Sequence, residues 1–75
     1  MILEDKIRLR ITFAHRVASA RKQAGISQPQ LARLAGVSRA QIVNIEQGRT
    51  GVGLEALVEI SRATKKSTDW LLGLK

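Results

Sequence analysis

Residues 26–49, ISQPQLARLAGVSRAQIVNIEQGR, contain two short helical patterns separated by only three residues. Ser27 and Ser38 are N-caps, because a serine oxygen can accept a free N–H of the first helical turn. Gly36 and Gly48 end the two patterns, since glycine readily adopts the left-handed conformation at a helix C-terminus. Helices are therefore predicted over 28–35 and 39–47.

Two short helices joined by a tight turn that contains glycine are typical of a helix-turn-helix motif. Apolar periodicity and similar end signals predict three more helices around this pair. The complete set of predicted helices is 13–24, 28–35, 39–47, 54–64 and 68–72. The expected fold class is all-α, with five helices in one domain.

The segment 1–12 is treated as an arm that precedes a domain formed by 13–75. Apolar residues in this arm alternate with polar ones, which suits a strand, yet Leu3, Ile7 and Ile11 also fit a helical stripe. A helical extension of the first helix is slightly favoured. Thr12 is otherwise the expected N-cap of that helix.

Composition excludes several classes of function. The chain has 75 residues, no cysteine, 13 basic residues and 6 acidic ones, for a net charge of +7. The positive charge favours a polyanionic partner, and the lack of cysteine fits a reducing cytoplasm. His15 is the only histidine, so no metal site, cofactor or catalytic group is expected, and the protein is not expected to be an enzyme.

Two other polyanionic partners are less compatible with the sequence than double-stranded DNA. A single Phe, a single Trp and no Tyr supply few aromatic rings for stacking on single-stranded RNA. No apolar run approaches the roughly 20 residues that span a bilayer. Basic residues are scattered rather than gathered on one amphipathic helix, so no membrane partner is expected.

The third predicted helix has two chemically different sides at about 100° per residue. Ile42 and Ile45 form an apolar back. The front carries candidate base-reading residues, namely Arg39, Ala40, Val43 and Asn44. Arginine can bond bidentately to guanine and asparagine to adenine, while small apolar side chains can touch the thymine methyl group.

Other polar residues are candidates for phosphate contacts, which would provide affinity and register. They flank the third helix, follow it in a loop, or begin the second helix, where free N–H groups attract anions. The candidates are Gln28, Gln41, Gln47, Arg49 and Thr50. Glu46 would repel phosphate, and we expect Arg21 to neutralise it in a structural ion pair.

The combined pattern resembles the Cro and lambda-repressor-like helix-turn-helix family, also called the xenobiotic-response-element family. The resemblance is carried by residues 26–32, 35–39, Ile42 and 45–49, and it extends over about residues 13–72. It implies five helices, with the third in the major groove and dimers on half-sites about one helical turn apart. It also implies base reading by Arg39, Ala40 and Asn44, and it supports the pair of Arg21 and Glu46.

The apolar C-terminus is a candidate dimer interface, comprising Trp70, Leu71, Leu72 and Leu74. These residues are apolar on too many sides for one core-facing surface, and the arm is a second candidate surface. The expected function is that of a cytoplasmic transcription regulator, a repressor or controller that binds a palindromic operator as a homodimer. The alternative is an antitoxin that binds a partner toxin and regulates its own operon.

Overall fold

Five α-helices without β-strands make up the computed structural model, which describes all residues from Met1 to Lys75. The helices are α1 (Leu3–Gln23), α2 (Gln28–Ala35), α3 (Arg39–Glu46), α4 (Leu54–Thr64) and α5 (Thr68–Leu72). The predicted all-α architecture of five helices is confirmed. None of the five combines the length and the apolar character required to cross a bilayer.

Serine N-caps begin the helices of the central motif. The Ser27 Oγ accepts the Gln30 N–H at 3.2 Å, and the Ser38 Oγ accepts the Gln41 N–H at 3.1 Å. The glutamine side chains accept the serine N–H groups in return, which completes two capping boxes. Each cap stabilises its helix by about 1 kcal/mol, so the chain itself fixes where α2 and α3 begin.

The first helix starts ten residues earlier than predicted. It begins at Leu3 and runs through Thr12, so Thr12 is not an N-cap and the helical form of the arm is confirmed. Glu4 and Asp5 lie in its first turn, where acidic side chains interact favourably with the helix dipole. No glycine or proline precedes Gly25 in the chain. The helix that begins at Leu3 therefore continues through Thr12, although threonine is a common N-cap residue.

Each helix contributes one of the largest fully buried side chains to the core, namely Val17, Leu31, Ile42, Ile60 and Leu71. Burial of side chains of this size contributes about 1.5–3 kcal/mol each. Leu34 has a large apolar side chain but is 53% exposed. It lies at the edge of the α2 apolar face, whose centre is formed by Leu31, Ala32 and Ala35.

Candidate nucleic-acid interface

The orientation of α3 separates its apolar and polar sides. Ile42 and Ile45 are buried at 0% and 3% exposure and attach the helix to the core. Arg39 and Ala40 are exposed on the opposite side, with Val43 and Asn44 half-buried beside them. The side chains of Arg39 and Asn44 form no hydrogen bond with any other side chain. The candidate base-reading residues therefore lie together, and their polar groups are free for a ligand.

The acidic group of α3 is held in a network with α1. The Arg21 Nε donates to the Glu46 Oε2 at 2.7 Å, and the Arg21 Nη2 donates to the Oε1 at 3.1 Å. This bidentate arrangement is the strongest geometry for an arginine and a carboxylate. The Arg21 side chain is 13% exposed and the Glu46 side chain 7%, so the pair is largely shielded from water.

Two further contacts extend the network into the start of α2. The Arg21 Nη1 donates to the Ile26 carbonyl oxygen at 3.1 Å. The Gln28 Nε2 donates to the Glu46 Oε1, also at 3.1 Å. Glu46 therefore accepts three hydrogen bonds, and its negative charge is compensated directly behind the polar side of α3. Sequence reasoning missed the role of Gln28, because no local spacing relates residues 28 and 46.

The candidate phosphate contacts differ in their availability. Gln41, Gln47, Arg49 and Thr50 are all exposed. Gln28 is half-buried, and its amide nitrogen already donates to Glu46. The Gln41 Oε1 accepts the Ser38 N–H, so the amide N–H groups of Gln41 are what remain for an anion.

Free backbone N–H groups are fewer than the sequence predicted. In the first turn of α2, Pro29 has no N–H and the N–H groups of Ser27 and Gln30 are used in the capping box. Gln28 therefore offers the remaining N–H at this end. In the loop after α3, the Arg49 N–H donates to the Asn44 carbonyl oxygen at 3.0 Å. The guanidinium of Arg49 is thus the group that can contact a phosphate.

The candidate dimer residues fall into two groups. Leu71 is fully buried in the core of its own chain, so its assignment to a dimer interface is corrected. Two cations approach the Trp70 ring, with the Arg16 guanidinium carbon 4.6 Å and the Lys66 Nζ 4.9 Å from the ring centre. Leu72 is half-buried and Leu74 is 68% exposed, so these two supply the available apolar surface.

Sequence reasoning also missed the contact that fastens α5 to α1. The Arg16 Nη1 donates to the Trp70 carbonyl oxygen at 2.8 Å while its guanidinium lies over the ring. These residues are 54 positions apart, and no short-range pattern relates them.

A tight turn between α2 and α3, with α3 held at the surface by its isoleucines, defines a helix-turn-helix domain. The sequence model of the Helix-turn-helix family matches residues 17–71. The chain belongs to this family, and residues 1–16 precede the matched region. The resemblance noted from the motif is thereby confirmed.

Similar proteins include an uncharacterised HTH-type transcriptional regulator of Haemophilus influenzae, which is 40% identical over 60 residues. The alignment covers 76% of the present chain, which spans 61% of the length of that relative. The crystal structure of the P22 c2 repressor bound to a synthetic operator has a TM-score of 0.79 at 32% identity, covering 84% of this chain and 96% of that one.

A second solved structure is the restriction-modification controller protein C.AhdI from Aeromonas hydrophila. Its TM-score is 0.76 at 27% identity, and the match covers 83% of this chain and 94% of the controller. The likeness therefore extends to regulators of two kinds, repressors and controllers.

Proposed function

We propose that this protein is a sequence-specific transcription regulator, a repressor or controller that binds a palindromic operator in double-stranded DNA as a homodimer. The observation that carries the proposal is the division of α3. Its isoleucines are buried, its arginine and asparagine are free, and its carboxylate is compensated by Arg21. The P22 c2 repressor, which is seen with an operator, supports the same use of the fold.

In the proposed complex α3 enters the major groove with Arg39 and Asn44 toward the base edges. Arg39 donates two hydrogen bonds to a guanine, and Asn44 pairs with an adenine. Ala40 and Val43 offer small apolar contacts to thymine methyl groups. The exposed Arg49 and the surrounding polar groups contact phosphates and set the register.

Selection of bound DNA from a random duplex pool tests the proposal. The expected product is a motif of two inverted half-sites about one helical turn apart, since a symmetric dimer reads symmetric DNA. The same selection with Arg39→Ala should lose its preference at one base pair in each half-site. Binding of the original motif should weaken by about 1–3 kcal/mol.

Arg33→Ala is the matched control, because Arg33 is an exposed arginine of α2 outside the predicted contact set. This variant should recover the unchanged motif. A pool that yields no preferred motif would overturn the proposed function. An Arg39→Ala variant that weakens binding to all sequences equally would make Arg39 a phosphate contact and refute its role in base reading.

A further inference from the structure

A mostly apolar cleft of about 300 Å³ lies where α1 extends beyond the core. It is bounded by α1, the loop that precedes α4, α4 itself and α5. Its apolar lining comes from Phe13, which is 3% exposed, and from the half-buried Leu9, Val52 and Leu57. Sites for small molecules span about 300–1,000 Å³ and are mostly apolar with a few polar groups. The cleft therefore has the size and the lining of a site for a small ligand.

Two cations occupy the side of α1 that faces this cleft. Phe13 and Val17 are buried, so they mark the core-facing side of the helix. Lys6 lies seven residues before Phe13 and Arg10 seven before Val17, which is about two turns along the same side. Both line the cleft, and both are exposed. Core-facing positions of a helix are normally apolar, so the two cations distinguish the cleft from a simple continuation of the core.

The two cations have no carboxylate of their own. No acidic residue lines the cleft. The two ion pairs of the molecule lie elsewhere, one between α1 and α3 and the other within α4. Side chains four residues apart on a helix have Cβ atoms about 5–6 Å apart, so Lys6 and Arg10 can hold one anionic group between them. An apolar cleft with two free cations at its edge is complementary to a molecule that has an apolar chain and an anionic end.

We propose that the cleft binds an amphipathic carboxylate, with its apolar chain among Leu9, Val52 and Leu57 and its carboxylate held by Lys6 and Arg10. The apolar lining provides most of the affinity, since burial of each CH₂ group tightens binding about fourfold. The cations select an acid, because their hydrogen bonds to a carboxylate are stronger than those between neutral groups. The volume of the cleft limits the ligand to a chain of medium length. No residue of α3 lines the cleft, so this site is distinct from the proposed DNA surface.

Titration with octanoate, followed through the amide chemical shifts in NMR spectra, tests the proposal. Octanoate should shift the signals of Leu9, Val52 and Leu57 to saturation. It should leave Leu34 unchanged, an exposed apolar residue of α2 outside the cleft. Acetate has the charge without the chain, and octanol has the chain without the charge. Each should bind about tenfold more weakly than octanoate or worse, because one half of the complementary surface is then unused.

Charge removal tests the role of the two cations. Lys6→Gln and Arg10→Gln should each weaken the binding of octanoate about fivefold, as expected for an exposed ion pair, and leave the binding of octanol unchanged. Arg8→Gln is the matched control. Arg8 is exposed on the same helix but does not line the cleft, and it lies about 160° around the helix from Lys6. This variant loses the same charge and should bind octanoate as the unchanged protein does.

The inference fails if octanoate binds no more tightly than acetate, if octanol binds as tightly as octanoate, or if Arg8→Gln weakens binding as much as Lys6→Gln does. Shifts that occur at other surfaces and not around Leu9 and Leu57 would also overturn it. None of these measurements involves DNA. Their failure refutes the carboxylate site alone, whereas a random pool that yields no preferred motif refutes the proposed function alone.

Discussion

At the scale of single residues, Gly73 shows how closely α5 approaches α1. Its φ is +75°, a left-handed conformation that glycine adopts without the steric cost of a side chain. A Cβ at this position would also lie 2.7 Å from the Thr12 Cγ2. Gly36 has a φ of +71° but no atom within 4 Å of the corresponding Cβ. A side chain at Gly36 would therefore incur only the strain of the left-handed conformation, whereas a side chain at Gly73 would also collide with Thr12.

We predict that Gly73→Ala destabilises the protein more than Gly36→Ala does. Both changes incur the cost of a left-handed alanine, about 1–2 kcal/mol. Gly73→Ala adds overpacking against Thr12, which costs about 1–3 kcal/mol more. Urea unfolding followed by circular dichroism measures both values.

Thr12→Ser provides the control for this comparison because it removes the methyl group that a new Cβ would meet. Combined with Gly73→Ala, it should bring the loss of stability down to that of Gly36→Ala. Equal losses for the two glycine variants would show that the contact between Thr12 and a Cβ at position 73 is relieved at no cost, and would contradict the prediction.

At the scale of elements, the network of Arg21, Gln28 and Glu46 joins the first three helices. A shielded ion pair adds little net stability when it is complete, but removal of one partner leaves an uncompensated charge. Here the network mainly fixes how the three helices are oriented relative to one another. It fastens the end of α3 to α1 and to the start of α2, and it compensates the carboxylate next to the proposed DNA surface.

We predict that Glu46→Gln lowers the free energy of unfolding by about 3 kcal/mol, because Arg21 keeps its charge in a shielded place. The matched substitution is Glu59→Gln, which breaks the only other ion pair. That pair with Arg62 lies on the surface, with side chains 40% and 73% exposed. Its loss should cost about 1 kcal/mol or less. Equal shifts in urea midpoint for the two variants would contradict a structural role for Glu46.

The ends of elements could be read from the sequence where side chains cap them locally. Ser27, Ser38 and Ser67 each accept an N–H three residues later, and all three starts were predicted. Thr12 has the same chemistry but lies inside α1. A capping residue starts a helix only when the preceding chain leaves the helical conformation, and residues 3–11 continue it.

At the scale of the whole molecule, unpaired positive charge is the dominant electrostatic feature. The chain carries 13 basic and 6 acidic residues, and only two ion pairs form. Most lysines and arginines are therefore available to a polyanion. Binding of such a protein to DNA is driven in large part by release of the counterions that surround the phosphates.

We predict that operator affinity falls by about a thousandfold or more between 50 and 200 mM salt if six to ten phosphates are contacted. Fluorescence anisotropy with a labelled duplex measures the slope of log affinity against log salt. Arg49→Gln should reduce that slope by about one, the effect of one lost phosphate contact.

Lys75→Gln is the control for the salt experiment, since it removes the same charge from an exposed residue outside the predicted contacts. Its slope should match that of the unchanged protein. Affinity that does not depend on salt would argue against phosphate contacts altogether.

The five-helix fold, the motif and the exposed side of α3 could be predicted from the sequence, because caps and helical periodicity act over three or four residues. It took the packing of the helices to reveal that Gln28 joins the pair of Arg21 and Glu46 and that Arg16 binds the Trp70 carbonyl oxygen and ring. The same packing places Leu71 in the core and not at an interface. These contacts depend on how helices distant in sequence pack together, and no local pattern encodes that packing.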